Sequence, residues 1–245
     1  MSYTKLKVAV LFVAIAALSL TPANAVPVIL TYGTVDITSR NNNYSDIAQL
    51  SGTALAGGSG GTYYTGLYSW TTGATTGIGD YVPNWGFCIE LAQDAELGVE
   101  NVISLNNAPQ PAQYGTPMET TKANYIRELW GRDFDPSWAT GANKQTAEAF
   151  SFAIWEIIYE TDPTWDVTSG TGFSTTDLTE GAIANTWLSQ LNGDPAYFAN
   201  NLVAISSDTG QDYVVQIPEQ LQIPEPATLS MLAIGAAALL RRRRS

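Results

Sequence analysis

Cys88 is the one thiol in a 245-residue chain that contains no histidine. No imidazole is therefore available to activate Cys88 or any serine, or to ligate a metal. A single cysteine also leaves no intramolecular disulfide to staple the fold. Carboxylates are then the main chemical resource. Asp133 and Asp135 flank Phe134, and Glu160, Asp162 and Asp166 punctuate a later stretch. Oxygen-rich loops can hold Ca²⁺, and paired acids can hydrolyse glycosides. Neither segment has the D-x-D-x-D-G spacing of a dedicated cation loop, and no spacing singles out a catalytic pair. Solvated acids are the expectation, with no catalytic residue, no metal ligand and no cofactor assigned. Exposed Trp and Tyr side chains could stack on sugars, but core packing explains Trp130, Trp155 and Trp187 first, because each lies on an apolar helical face.

These residues sit in a body whose pattern changes type twice. Val26 to Thr38 is β-branched and aromatic-rich and reads as a strand. Residues 51–79 are mostly Gly, Thr, Ser and Tyr, which predicts short strands and mobile loops. Trp85, Phe87, Ile89 and Leu91 then alternate with Gly86, Cys88, Glu90 and Ala92, a half-buried strand of period two. That parity puts Cys88 with Glu90, opposite the Phe87 stripe. A carboxylate so near raises the thiol pKa, so Cys88 reads as a small buried apolar residue rather than a reactive thiolate.

Helical spacing follows. Thr116-Pro117-Met118-Glu119 has the form of a capping box with proline at the first helical position. Tyr125, Ile126, Leu129 and Trp130 lie on that helix, and Gly131 is expected to end it. A second helix, about 142–160, is apolar around most of its circumference and should be largely buried. A third runs from near Asp177 to Asn192-Gly193, and Asp194-Pro195 caps one further short turn. Leu202–Ser207 and Tyr213–Ile217 flank Asp208-Thr209-Gly210 as a hairpin. The sum is an α+β fold, a β-rich single domain with a helical insertion across residues 26–217, followed by a linker at 218–223.

Both ends read as addresses. Lys5 and Lys7, the apolar run Val8–Leu20, Pro22 and the small-x-small site Ala23-Asn24-Ala25 form a secretory signal peptide over residues 1–25. At the other end stand Pro224-Glu225-Pro226, an apolar segment Ala227–Leu240, and Arg241, Arg242, Arg243 and Arg244. The physics is a short membrane helix stopped on the cytoplasmic side by four arginines. Residues 224–245 resemble the PEP-CTERM sorting signal of Gram-negative bacteria that make exopolysaccharide. The resemblance implies recognition and cleavage by a membrane-embedded exosortase, after transient insertion into the inner membrane. The final location it implies is secreted or on the outer surface.

The whole chain carries −12, from 11 basic and 23 acidic residues. Without both addresses, five basic and 22 acidic residues remain, or −17. Such a body repels nucleic acid, whose phosphates need a basic face, and suits a polysaccharide matrix.

A second resemblance rests on Phe87-Cys88-Ile89-Glu90-Leu91 and on Ala149 to Ile157, which contains Ala153-Ile154-Trp155. These segments resemble bacterial surface thioester domains, where a Cys and a Gln side chain form an internal thioester. Here Ser151 stands at the glutamine position, and a hydroxyl has no acyl carbon. Gln145 lies six residues earlier, about 9 Å along a helix axis. The resemblance thus implies the family's shape with a degenerate site at Cys88 and Ser151, the serine approaching the cysteine from the border of a polar helix face. The functional expectation is a non-enzymatic, exosortase-sorted surface or matrix protein serving adhesion or exopolysaccharide association. A carboxylate-dependent polysaccharide hydrolase and a Ca²⁺-dependent carbohydrate-binding module are the alternatives.

Overall fold

Threonine, tyrosine and valine favour the extended backbone, and they recur in the longest strands of the computed structural model, which describes residues 31–55, 60–109, 117–160 and 165–219. The signal peptide, Thr116, Asp162 and the sorting segment lie outside the described residues. The strands are β1 (Thr31–Asn41), β2 (Ser45–Ser51), β3 (Gly61–Gly77), β4 (Trp85–Cys88), β5 (Gly98–Ser104), β6 (Ser174–Thr175), β7 (Leu202–Ser206) and β8 (Tyr213–Gln216). All pairings are antiparallel, in the order β1-β5-β7-β8-β4-β3, and β3 pairs back onto β1 to close a barrel. Strands β2 and β6 extend the sheet outward from β3.

The helices are α1 (Glu119–Asp133), α2 (Lys144–Tyr159) and α3 (Leu178–Leu188). All three fall between β5 and β7, which are neighbours in the barrel. The fold is therefore a mixed α+β barrel. The segment between those strands also contributes β6, so it is not purely helical.

The stretch expected to hold short strands and loops instead carries β3, at 17 residues the longest described strand. Its glycines mark a change of partner. Residues 61–66 pair with β2, Leu67–Ser69 with β4, and Ser69–Gly77 with β1. Gly66, at φ +88, sits where the strand passes from one partner to the next, a backbone conformation that glycine adopts without steric penalty. Threonine pairs then tie β3 to β1, with Thr34 and Thr76 hydroxyls at 2.8 Å and Thr38 and Thr71 at 3.0 Å.

Strand β4 is buried on both faces rather than one. Phe87 points to the helices, with ring centroids 5.0 Å from Phe150, 5.7 Å from Trp130 and 6.0 Å from Trp138. Cys88 shares the other face with its register partner Tyr213, whose ring meets Trp70, Tyr68 and Arg40. Those residues come from strands on opposite sides of the ring, so this face is the barrel interior.

Helix α1 starts later and ends later than its sequence suggests. The Met118 amide bonds to the Ala108 carbonyl, and the helix opens at Glu119, whose φ is positive at 54°. Gly131 does not terminate it. A Cβ there would fall 1.7 Å from the Tyr197 carbonyl oxygen, so this glycine permits close packing. The helix stops at Phe134, which is extended, two residues before Pro136. Helix α2 is buried on all sides from Ala147 to Ile158. Helix α3 ends at Leu188 rather than at Asn192-Gly193. The Asp194 cap and the β7–β8 hairpin match expectation, since Asp194 accepts from the Ala196 amide at 3.0 Å.

Candidate functional site

Cys88 is fully buried, and its Sγ donates to the Glu90 carbonyl at 2.9 Å. Trp155 on α2 donates its indole N–H to the Cys88 carbonyl at 2.8 Å. Tyr159, one turn further on, accepts from the Leu91 amide at 2.9 Å. Burial pushes the thiol up to about 12, with the Glu90 and Asp212 carboxylates adding to the rise. The carboxyl of Glu90 is itself raised to about 8 by burial. A thiol in this setting stays protonated and is a poor nucleophile.

Further along the interior, the Arg40 guanidinium pairs with Glu100, donates to the Glu96 carbonyl at 2.8 Å, and lies 4.6 Å from the Tyr213 ring centroid. Burial raises Glu100 to about 7 despite that cation.

Ser151 is also fully buried, so the expected partial contact with solvent is absent. A helix buried on every side from Ala147 to Ile158, Glu148 and Glu156 included, leaves no solvent-facing border there. Its hydroxyl accepts from the Gly66 amide at 2.9 Å and donates to the Gly66 carbonyl at 3.1 Å. The structure thus brings Trp155 to Cys88, and brings Ser151 to the point where β3 changes partner.

Three of the loop carboxylates expected to be solvated, Asp135, Glu160 and Asp166, are structural acceptors. Asp135 caps a 3-10 turn through the Ser137 amide at 2.8 Å. Glu160 accepts from the Gly172 and Phe173 amides at 2.6 and 3.2 Å. Asp166 accepts from the hydroxyl and amide of Thr168, and from Asn185 and Ser169, bonds that hold its carboxyl down to about 2. Burial raises the Asp133 pKa. Among the described residues, no group of three or more Cys, Asp or Glu side chains is arranged to hold a metal ion.

Sequence reasoning missed two features. The first is a set of buried glutamates: Glu90, Glu100, Glu128, Glu148 and Glu156. Glu148 and Glu156 lie on the helix whose apolar circumference already implied burial, and Glu128 stands four residues before Arg132, a visible ion-pair spacing. The second is a cleft of about 350 Å³ at the end of the barrel, built from α1, the chain entering β7, and the chain leaving β8. Gly131, Tyr197, Asn200, Asn201, Gln216 and Glu219 are among the residues that line it. Trp130 donates its indole N–H to Gln216 Oε1 at 3.1 Å, and Gln216 Nε2 donates to Asn201 Oδ1 at 3.2 Å.

Among the described residues no helix is long and apolar enough to cross a membrane; the expected sorting helix lies outside them. Comparison with curated proteins and with solved structures gave no match. Against protein families, the PEP-CTERM protein-sorting motif matches residues 222–244. That motif supports an exported protein that exosortase processes and sorts to the cell surface.

Proposed function

We propose that this is a non-catalytic protein of the exopolysaccharide or biofilm matrix of a Gram-negative bacterium, reaching it by transient anchoring in the inner membrane. The observation that carries the reading is the sorting motif at 222–244. The −17 body supports it, because an acidic protein resists anionic membranes and nucleic acid and stays free to meet a hydrated polymer. The buried thiol and the structural use of the loop acids also favour a scaffold over an enzyme. The thioester-domain resemblance enters only as an inert pair, with Cys88 and Ser151 unbonded.

The test is processing and fractionation in the native host. Intact mass should show loss of residues 1–25 and of the segment after Pro224-Glu225-Pro226, and the mature protein should fractionate with extracellular polymer. Glu225→Ala should accumulate unprocessed. Recovery of Arg241 to Arg244 on the mature protein would sink the sorting step. Release of reducing ends from the native exopolysaccharide would replace the scaffold with a hydrolase.

A further inference from the structure

We propose that the cleft beside Tyr197 binds an uncharged pyranose unit of a polysaccharide. Tyr197 would be the stacking platform, with Asn201, Gln216 and Glu219 as hydrogen-bond partners for the ring hydroxyls. The proposal deepens the matrix reading above and rests on it.

Tyr197 is 44% exposed, yet its ring is held in place. The Arg132 guanidinium sits 3.5 Å from the ring centroid and covers one face. Arg132 is itself fixed by the fully buried Glu128, at 2.8 and 2.9 Å. The other oxygen of Glu128 accepts from the Asn192 and Gly193 amides at 3.1 and 2.7 Å, tying down the loop that leads to Tyr197. A partly exposed aromatic ring that lines the cleft and is backed on one face by Arg132 can stack without a large ordering cost.

The polar lining is equally preset. An indole N–H can only donate, so its bond to Gln216 fixes which end of that amide is oxygen. Gln216 Nε2 must then donate to Asn201 Oδ1, and Asn201 in turn donates to the Ile217 carbonyl. Each amide nitrogen carries two N–H groups, and this chain uses one of each. Among the described residues, Gln216 and Asn201 therefore keep one donor apiece, while the exposed Glu219, which also lines the cleft, adds an acceptor. A ligand meeting both kinds of group on one small surface should donate and accept at neighbouring atoms, as hydroxyls do.

Charge narrows the class. Glu219 and the acidic body oppose an anionic sugar, and the charge of Arg132 is already engaged by Glu128. A volume of about 350 Å³ is at the small end for ligand clefts, which suits one or two rings rather than a long segment. Position agrees with the sorting reading. Glu219 is five residues before Pro224, a reach of at most about 18 Å when extended, so the cleft lies at the end by which the chain is sorted.

The experiment uses mature protein purified from the native host. The probe is the neutral oligosaccharide fraction released from that host's exopolysaccharide by mild acid. Calorimetry should show saturable binding, accompanied by a change in tryptophan fluorescence as the chain from Trp130 responds. Tyr197→Ala should weaken binding about tenfold, the size of a lost stacking contact, and Tyr197→Phe should retain it. If Tyr197→Ala lowers the melting temperature, Glu219→Ala carries the same comparison, because that side chain is exposed, and it too should weaken binding. No binding by wild type overturns the proposal, as does equal binding by wild type, Tyr197→Ala and Glu219→Ala. Cellular fractionation separates this failure from that of the matrix reading. Tyr197→Ala should be processed like wild type and lost from the polymer fraction. If wild type itself never enters that fraction, the matrix reading falls, and calorimetry alone decides the cleft.

Discussion

Strand β4 divides two buried regions of opposite chemistry. On the Phe87 side, the barrel meets the helices through a cluster of rings. Phe150 alone has centroids within 6.2 Å of Phe87, Trp130, Phe134, Trp138 and Trp187. On the Cys88 side, the barrel interior holds Arg40, Glu100, Tyr68 and Tyr213: Arg40 pairs with Glu100, while the Tyr68 and Tyr213 hydroxyls donate to the Tyr64 carbonyl and to Gln211 Oε1. Both regions exclude water, but they stabilise the fold differently. Apolar packing is spread over many contacts that all favour burial. A buried ion pair is one specific contact set against a large desolvation cost. The ring layer should therefore tolerate no loss of volume, and the interior should tolerate no loss of a single partner.

Truncating the ring layer at its centre should give the largest effect. Phe150→Ala is expected to cost about 3–5 kcal/mol, from lost transfer energy and the cavity left behind. Urea denaturation would read this as a fall in midpoint. A cost below about 1 kcal/mol would mean that the helices do not depend on this layer.

The interior should respond according to pairing. Glu100→Leu leaves the Arg40 charge buried without a carboxylate and should cost about 3 kcal/mol. Adding Arg40→Met removes the stranded charge and should recover most of that loss, since a hydrophobic pair often replaces a buried ion pair without penalty. If the double variant is no better than the single one, the interior requires Arg40 for its bonds to Glu96 and Tyr213 rather than for charge balance.

Buried carboxyls on both sides make stability depend on pH in an unusual direction. Burial raises Glu148 to about 8, with Asp46, Glu180 and Asp177 adding to the rise, and raises Glu156 to about 7. An acid whose folded pKa lies above its unfolded value binds more protons when folded. Its contribution is present below the unfolded value, near 4.5, and is lost as pH climbs to about 8. The melting temperature should therefore fall between pH 5 and pH 9. Glu148→Gln, which keeps the neutral shape, should flatten that slope. An unchanged slope would show that Glu148 is not among the groups responsible.

What was legible in the sequence was local. The start of the strand at Trp85, though not its end at Cys88 or its burial on both faces, the three helices, the Asp194-Pro195 cap and the β7–β8 hairpin each depend on residues near one another in the chain. The sorting tail was legible for the same reason, as a linear motif. Strand β3 was not, because its repeated glycines read as turns even though its Thr and Tyr favour strands, and three separate partners hold it extended. Barrel closure, the Arg40–Glu100 pair and the cleft all join distant segments. Gln216 and Asn201 carry no recognisable motif until Trp130 is brought beside them.

The smallest effect should come from Cys88, and it sharpens the contrast between the faces of β4. Its side chain enters the barrel interior with Tyr213, while Ser151 is engaged by Gly66 where β3 changes partner. Cys88→Ala removes one methyl-sized group and should cost about 1 kcal/mol, well below the Phe150 and Glu100 variants. With its pKa pushed up to about 12, the native thiol should ignore thiol reagents at neutral pH and react once the chain is unfolded in urea. The wild-type mass should show no loss of ammonia, and methylamine should add nothing. Ser151→Gln supplies the missing acyl carbon, and it tests whether the thiol can reach position 151 at all. With the thiol turned into the barrel and residue 151 held on α2, that variant should also keep its ammonia. Ammonia loss there would place both side chains within bonding reach and revive a thioester at this site. Native labelling of Cys88 in the wild type would show instead that the barrel interior opens to solvent, which the stability of the Arg40–Glu100 pair should not survive.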